Sequence, residues 1–111
     1  MAKKEGLTMR QVTEVMTIFF DPEAAGDLEA VIQFNVTGQE PGNYYIQISK
    51  GECAFRLGEA PEPTLTIDTP SEVWMKIVNG EISGAEAMAQ GLYKAEGDTN
   101  LLLRFNELFK T

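Results

Sequence analysis

Residues 28–37 read LEAVIQFNVT, and their alternation decides the fold class. Leu28, Ala30, Ile32, Phe34 and Val36 fall on one side of an extended chain, Glu29, Gln33, Asn35 and Thr37 on the other, and only Val31 breaks the pattern. Successive side chains of a strand point to opposite faces, so this stretch reads as a strand with one covered face. Gly38 and Pro41-Gly42-Asn43 are turn residues, after which Tyr44, Ile46 and Ile48 alternate with Tyr45, Gln47 and Ser49. Lys50-Gly51 marks the tip of a tight hairpin. A third strand, Glu52 to Leu57, sets Cys53, Phe55 and Leu57 against Glu52, Ala54 and Arg56. Strands this close in sequence form an antiparallel meander.

Upstream of the meander, Thr8-Met9-Arg10-Gln11 has the spacing of a capping box, with Leu7 and Val12 placed as a hydrophobic staple. A helix follows in which Met9, Val12, Val15, Met16, Phe19 and Phe20 share a face; Asp21-Pro22 ends it, and residues 21–27 read as a loop. Downstream, after a loop over 58–63, Leu65 and Ile67 alternate with Thr64, Thr66 and Asp68 in a short fourth strand. Thr69-Pro70-Ser71-Glu72 reads as a second capping box, with proline at the first helical position, and opens a helix carrying Val73, Trp74, Ile77 and Val78 as far as Asn79-Gly80. The apolar stripe predicts that Trp74, the only tryptophan, is buried. Ser83-Gly84-Ala85-Glu86 is a third box, for a brief helix to Ala89 that ends at Gly91. Leu92 to Glu96 reads as a last strand, and Gly97-Asp98 precedes a C-terminal helix with Leu101, Leu102, Leu103, Phe105, Leu108 and Phe109. Helix, three or four strands, two helices, strand, helix is an α+β order, with helices covering one face of a mainly antiparallel sheet.

The chain has 111 residues, 43 % of them hydrophobic, which predicts one domain over 1–111 with its own core. Nine Lys and Arg against seventeen Asp and Glu give 9 − 17 = −8. That balance argues against nucleic acid, whose binding depends on cations, and against electrostatic docking on anionic lipid. The sequence has no His, so Ser-His-Asp and Cys-His nucleophile activation and His-ligated metal sites are excluded. Its single cysteine, Cys53, permits no internal disulfide. With no apolar run of about 18 residues and no signal-peptide h-region, a cytoplasmic protein with no stable membrane insertion is expected. The ten glycines form no phosphate-binding motif, and no cofactor is expected.

Few residues suggest chemistry. Glu59, Glu62, Asp68 and Glu72 crowd around the fourth strand, where a paired acid/base site is conceivable, yet loop and cap positions account for each. Cys53 is either a nucleophile or an inert thiol; Phe55 and Leu57 point the same way and no base is identifiable. The C-terminal end is richer. Leu101, Leu102 and Leu103 are consecutive and cannot all face one direction on a helix. Either that helix is buried between sheet and neighbours, or some of its side chains, with Trp74 and Met88, line a cavity for an apolar ligand of roughly 300 Å³ or more between the sheet and the last helix.

The stretch from about Asp27 to Phe109 resembles the sterol carrier protein type 2 (non-specific lipid transfer) domain family. The resemblance lies in Ala30 to Gly38, in the Tyr-Ile-Gln-Ile strand before Lys50-Gly51, and in Pro63-Thr64-Leu65-Thr66-Ile67 leading into a capped helix. It continues through Ile77-Val78-Asn79-Gly80 and Ala87-Met88 to Leu92-Tyr93-Lys94-Ala95-Glu96-Gly97-Asp98 and the Leu/Phe-rich end. It implies a five-stranded sheet with helices on one face, an apolar tunnel between them, and non-enzymatic binding of a fatty acid, acyl-CoA, sterol or other terpenoid-like lipid. Carried over, Phe34, Phe55, Trp74, Ile77, Met88, Leu102, Phe105 and Phe109 are the expected lining. The alternative is an accessory or scaffold module, in which the chain presents a lipophilic substrate to a partner enzyme of lipid metabolism. The chain ends Phe109-Lys110-Thr111 rather than in a Ser-Lys-Leu type of signal, so peroxisomal import is not expected.

Overall fold

The alternating stretch forms the central part of a sheet in a computed structural model that describes residues 7–109. Lys110 and Thr111, weighed above as a targeting signal, lie outside the described residues. The strands are β1 (Ala30–Thr37), β2 (Gly42–Ser49), β3 (Glu52–Leu57), β4 (Leu65–Pro70) and β5 (Lys94–Gly97). Two helices precede them, α1 (Met9–Ile18) and α2 (Pro22–Ala25); α3 (Ser71–Val78) and α4 (Gly84–Ala89) separate β4 from β5; and α5 (Asn100–Leu103) and α6 (Phe105–Leu108) follow. The fold is α+β. Its five-stranded sheet runs in the order β3-β2-β1-β4-β5.

The meander pairs as its alternation predicts, with Ile32 opposite Ile46 and Ile46 opposite Phe55, but β3 is an edge strand and Leu57 at its end is 62 % exposed rather than covered. Lys50 and Gly51 both take positive φ, 54° and 74°, the twist that a two-residue hairpin requires. The fourth strand does something alternation alone cannot reveal. It lies on the other side of β1 and runs parallel to it, Phe34 opposite Ile67, while β5 pairs antiparallel with β4. The chain must therefore cross the sheet between β3 and β4, and this crossing buries Gln33 on the nominally polar face. Gln33 Oε1 accepts from Ala60 N at 2.7 Å and its amide donates to the carbonyls of Gly58 and Tyr44 at 3.2 and 3.3 Å. A buried amide is tolerable because it is bonded at both ends.

Apolar residues of β1, β2 and β4 face the helices. Ile32, Phe34, Ile46, Leu65 and Ile67 are wholly buried, and α1 contributes Met9 and Met16 to the same core, with Val12 also buried. The α1 capping box is present, Thr8 Oγ1 accepting from Gln11 N and Gln11 Oε1 accepting from Thr8 N. Three local expectations need correcting. Residues 21–27 contain α2, because Asp21 Oδ1 accepts from Glu23 N and Ala24 N while Pro22 supplies the first helical residue. Thr69 does not cap α3: β4 continues through Pro70, and the Thr69 hydroxyl donates to Pro70 O at 2.9 Å. Glu72 instead reaches back across the β1–β2 turn, where the N–H of Gln39 and then the hydroxyl of Ser71 hold its carboxyl below the ordinary range.

The third correction concerns the C-terminus. The expected single helix is two one-turn pieces broken at Arg104, whose N–H bonds to Leu101 O at 3.1 Å in a tightened turn. The Arg104 guanidinium then holds the break, donating to Ala24 O at 2.9 Å and to Glu107 Oε1 at 2.7 Å. Leu101, Leu108 and Phe109 reach the core, while Leu103 is left 83 % exposed.

Gly97 closes the β4–β5 pairing at φ 102°, and a Cβ there would run into the carbonyl oxygen of Thr64. Gly97→Ala should therefore cost about 1–3 kcal/mol of stability, read as a lowered denaturant midpoint at unchanged slope.

Candidate ligand-binding cavity

Helical spacing aims one face of α3 and one face of α4 at the same space. Trp74, Ile77 and Val78 come from α3, and Ala85, Met88 and Ala89 from α4, each set spaced i, i+3, i+4. Ser83 holds α4 in place by accepting from Glu86 N at 3.0 Å. Leu102, Leu103, Phe105 and Phe109 close the opposite wall and Met16 of α1 adds to it. Together they enclose a cavity of about 920 Å³, near the upper end of the range for small-molecule sites, roughly 300–1,000 Å³. It opens at a rim that includes the exposed Leu103.

Its position differs from expectation. No residue of β1 to β5 lines it, so it lies within the helical layer rather than between sheet and last helix. The partition is Trp74, 3 % exposed. Its indole meets Phe34 of β1 at 5.4 Å and 73°, Tyr93 at 6.0 Å and 85°, and Phe105 at 6.1 Å and 80°. These edge-to-face contacts are favourable for aromatic quadrupoles and fix the ring from three sides. Trp74 Nε1 has no hydrogen-bond partner among the described residues, so ring packing alone orients it. The Tyr93 hydroxyl donates to Gly84 O at 3.1 Å and ties the approach to β5 to the start of α4.

Of the residues singled out in the sequence, Trp74, Ile77, Met88, Leu102, Phe105 and Phe109 stand in the wall. Phe34 and Phe55 do not. Phe34 is wholly buried behind Trp74, and Phe55 is half-buried on β3 against Tyr44, with ring centroids 5.5 Å apart. Sequence reading missed Met16, Val78, Ala85 and Ala89, although the i, i+3, i+4 spacing of 74, 77, 78 and of 85, 88, 89 was there to find. It also missed the polar members Ser83, Tyr93, Thr99, Asn100 and Asn106. All of them are uncharged, and among the described residues none in the lining carries a charge.

The other candidate chemistry does not converge on this space. Glu59 and Glu62 are exposed in the crossing loop, Asp68 accepts from Asn35 Nδ2 at 3.1 Å, and Glu72 is committed to Gln39 and Ser71. No group of three or more His, Cys, Asp or Glu that could hold a metal occurs among the described residues. Burial pushes the Cys53 thiol up to about 12, so it is protonated near neutral pH.

Comparison with known proteins bears on this site. The sequence profile of the SCP-2 sterol transfer family matches residues 20–110. Hydroxysteroid dehydrogenase-like protein 2 of Xenopus tropicalis is 21 % identical over 101 residues, covering 90 % of this chain and 24 % of that protein. The chain thus spans about a quarter of the length of this curated relative. Among solved structures, the stereoselective inverting sec-alkylsulfatase Pisa1 from Pseudomonas sp. superimposes with a TM-score of 0.82 at 20 % identity, over 95 % of this chain and 17 % of that one. Palmitated SCP2L2 from Aedes aegypti superimposes with a TM-score of 0.68 at 16 % identity, over 95 % of this chain and 96 % of that one.

Since only the thiolate is nucleophilic, Cys53 should react with iodoacetamide at pH 8 on the order of a thousandfold more slowly in the folded chain than in the urea-unfolded chain. Comparable rates would show that burial does not suppress the thiol.

Proposed function

As the chain belongs to the SCP-2 sterol transfer family, we propose that it binds a lipid non-covalently in the cavity between α3, α4 and the C-terminal segment. The observation that carries this reading is a cavity of about 920 Å³ walled by Trp74, Ile77, Met88, Leu102, Phe105 and Phe109. Residues 1–111 act as one cytoplasmic lipid-binding domain, with no covalent step of its own. A palmitated relative of the same fold supports an acyl chain as occupant; a sterol or another terpenoid-like molecule is the other class the apolar wall suits. Phe34 serves from behind, by holding Trp74 upright, and Phe55 has no contact role.

The energetics favour a wall that is already formed. At about 0.8 kcal/mol per buried methylene, ten methylenes give a gross gain of about 8 kcal/mol. Micromolar binding survives the cost of association only if little further ordering is needed. Trp74, fixed by three rings, meets that condition, while unbranched Met16 and Met88 adapt to the shape of the occupant.

A second reading has its own support. The matched region is 24 % of a dehydrogenase-like protein and 17 % of a sulfatase, so the fold also occurs as a part of longer chains with enzyme names. In that setting the cavity would hold a lipophilic substrate for a catalytic partner. Native mass spectrometry of the protein from its host separates the two: a co-purifying lipid supports free carriage, a stable protein complex supports the accessory role.

Ala89 is exposed yet stands in the cavity wall, so bulk added there fills the cavity without disturbing the core. Ala89→Trp should weaken binding of an acyl ligand by calorimetry, roughly tenfold or more, with an unchanged unfolding midpoint. Unaltered affinity would place the ligand elsewhere.

A further inference from the structure

The polar groups of the cavity are amides and hydroxyls, and apart from the buried Tyr93, whose hydroxyl is held by Gly84 O, they belong to exposed residues. Thr99, Asn100 and Asn106 are exposed and also line it, so they stand at the mouth. Their side chains make no hydrogen bond among the described residues, which leaves the two amides with both donors and acceptors to offer an incoming headgroup. Charges lie beside the lining in the chain rather than in it: Asp98 precedes Thr99, Glu107 follows Asn106 and Glu86 follows Ala85, while Lys76 precedes Ile77 and Lys94 follows Tyr93. The one cation within the C-terminal segment among the described residues, Arg104, is already occupied by Glu107 Oε1 and Ala24 O. The chain as a whole carries −8.

An anionic headgroup at this mouth would lose part of its hydration and meet no cation among the described lining residues. An uncharged headgroup would lose less and could exchange hydrogen bonds with Asn100 and Asn106. Resting on the lipid-binding reading above, we propose that the cavity selects lipids with an uncharged, hydrogen-bonding headgroup, such as an alcohol, ester or amide. The same chain ending in a carboxylate or in coenzyme A is disfavoured.

The test uses three probes that share one alkyl chain length: dodecan-1-ol, dodecanoate and dodecanoyl-CoA, each titrated calorimetrically below its micellar concentration at neutral pH. Dodecan-1-ol should bind more tightly than either anion, by on the order of tenfold or more. Asn106→Lys, an exposed change, should tighten dodecanoate several-fold relative to dodecan-1-ol. If dodecanoate or dodecanoyl-CoA binds the unmodified chain as tightly as the alcohol, the headgroup selectivity is overturned while lipid binding stands. The selectivity also falls if Asn106→Lys leaves the gap between alcohol and carboxylate unchanged. If none of the three saturates, lipid binding in this cavity fails and the selectivity with it.

Discussion

The packing of Trp74 against three other rings is the constraint on which the rest of the structure depends. Phe34 comes from the central strand, Tyr93 from the approach to β5 and Phe105 from the C-terminal segment, and each meets the indole close to a right angle. Sheet, helices and C-terminus are thereby referred to a single side chain. From there the ring contacts continue through Phe105 to Phe109 and Phe20, and through Phe34 to Tyr44 and Phe55. Aromatic side chains bury large areas with few rotatable bonds, which suits them to a wall that must keep its shape beside an open space.

The C-terminal segment shows how the same chain serves both core and cavity. Leu101, Leu108 and Phe109 are buried in the core, while Leu102, Leu103 and Asn106 line the cavity. The segment is broken at Arg104 into two one-turn helices. The break leaves helix ends to be satisfied, and it is stabilised by the Arg104 bond to Ala24 O, by Asp21 N donating to Leu108 O at 2.8 Å, and by the Phe20–Phe109 bridge. The segment is thus anchored at its far end to the α1–α2 junction, and its near end forms the cavity wall.

The charge pattern gives the cavity a chemical character that its shape does not. Its wall is apolar with neutral polar groups at the mouth, on a chain whose overall charge is strongly negative. Among the described residues no helix is long and apolar enough to cross a membrane. Solved structures at 16–20 % identity share this fold, and a fold does not by itself fix a ligand.

The sequence by itself determined whatever is encoded locally. Alternation set β1 to β3 and the buried side of β1 and β2, capping residues set the starts of α1 and α4, and Asn79-Gly80 set the end of α3. The same local signals show where they stop being sufficient. Thr69 to Glu72 has the spacing of a capping box, yet Thr69 is claimed by pairing with Val36 and Glu72 by the turn at Gln39, both distant in the chain. Only the tertiary structure decided that β4 lies parallel to β1, that Gln33 is buried beneath a crossing loop, and that the run of leucines breaks at Arg104. Residue type and burial marked Trp74, Met88 and Phe105 as candidates for a wall. The amides at the mouth carried no such mark, because an exposed asparagine reads the same in any loop until helices from three parts of the chain surround it. Periodicity reports which face of an element is apolar; what that face meets depends on contacts between residues far apart in sequence, and those exist only once the chain has folded.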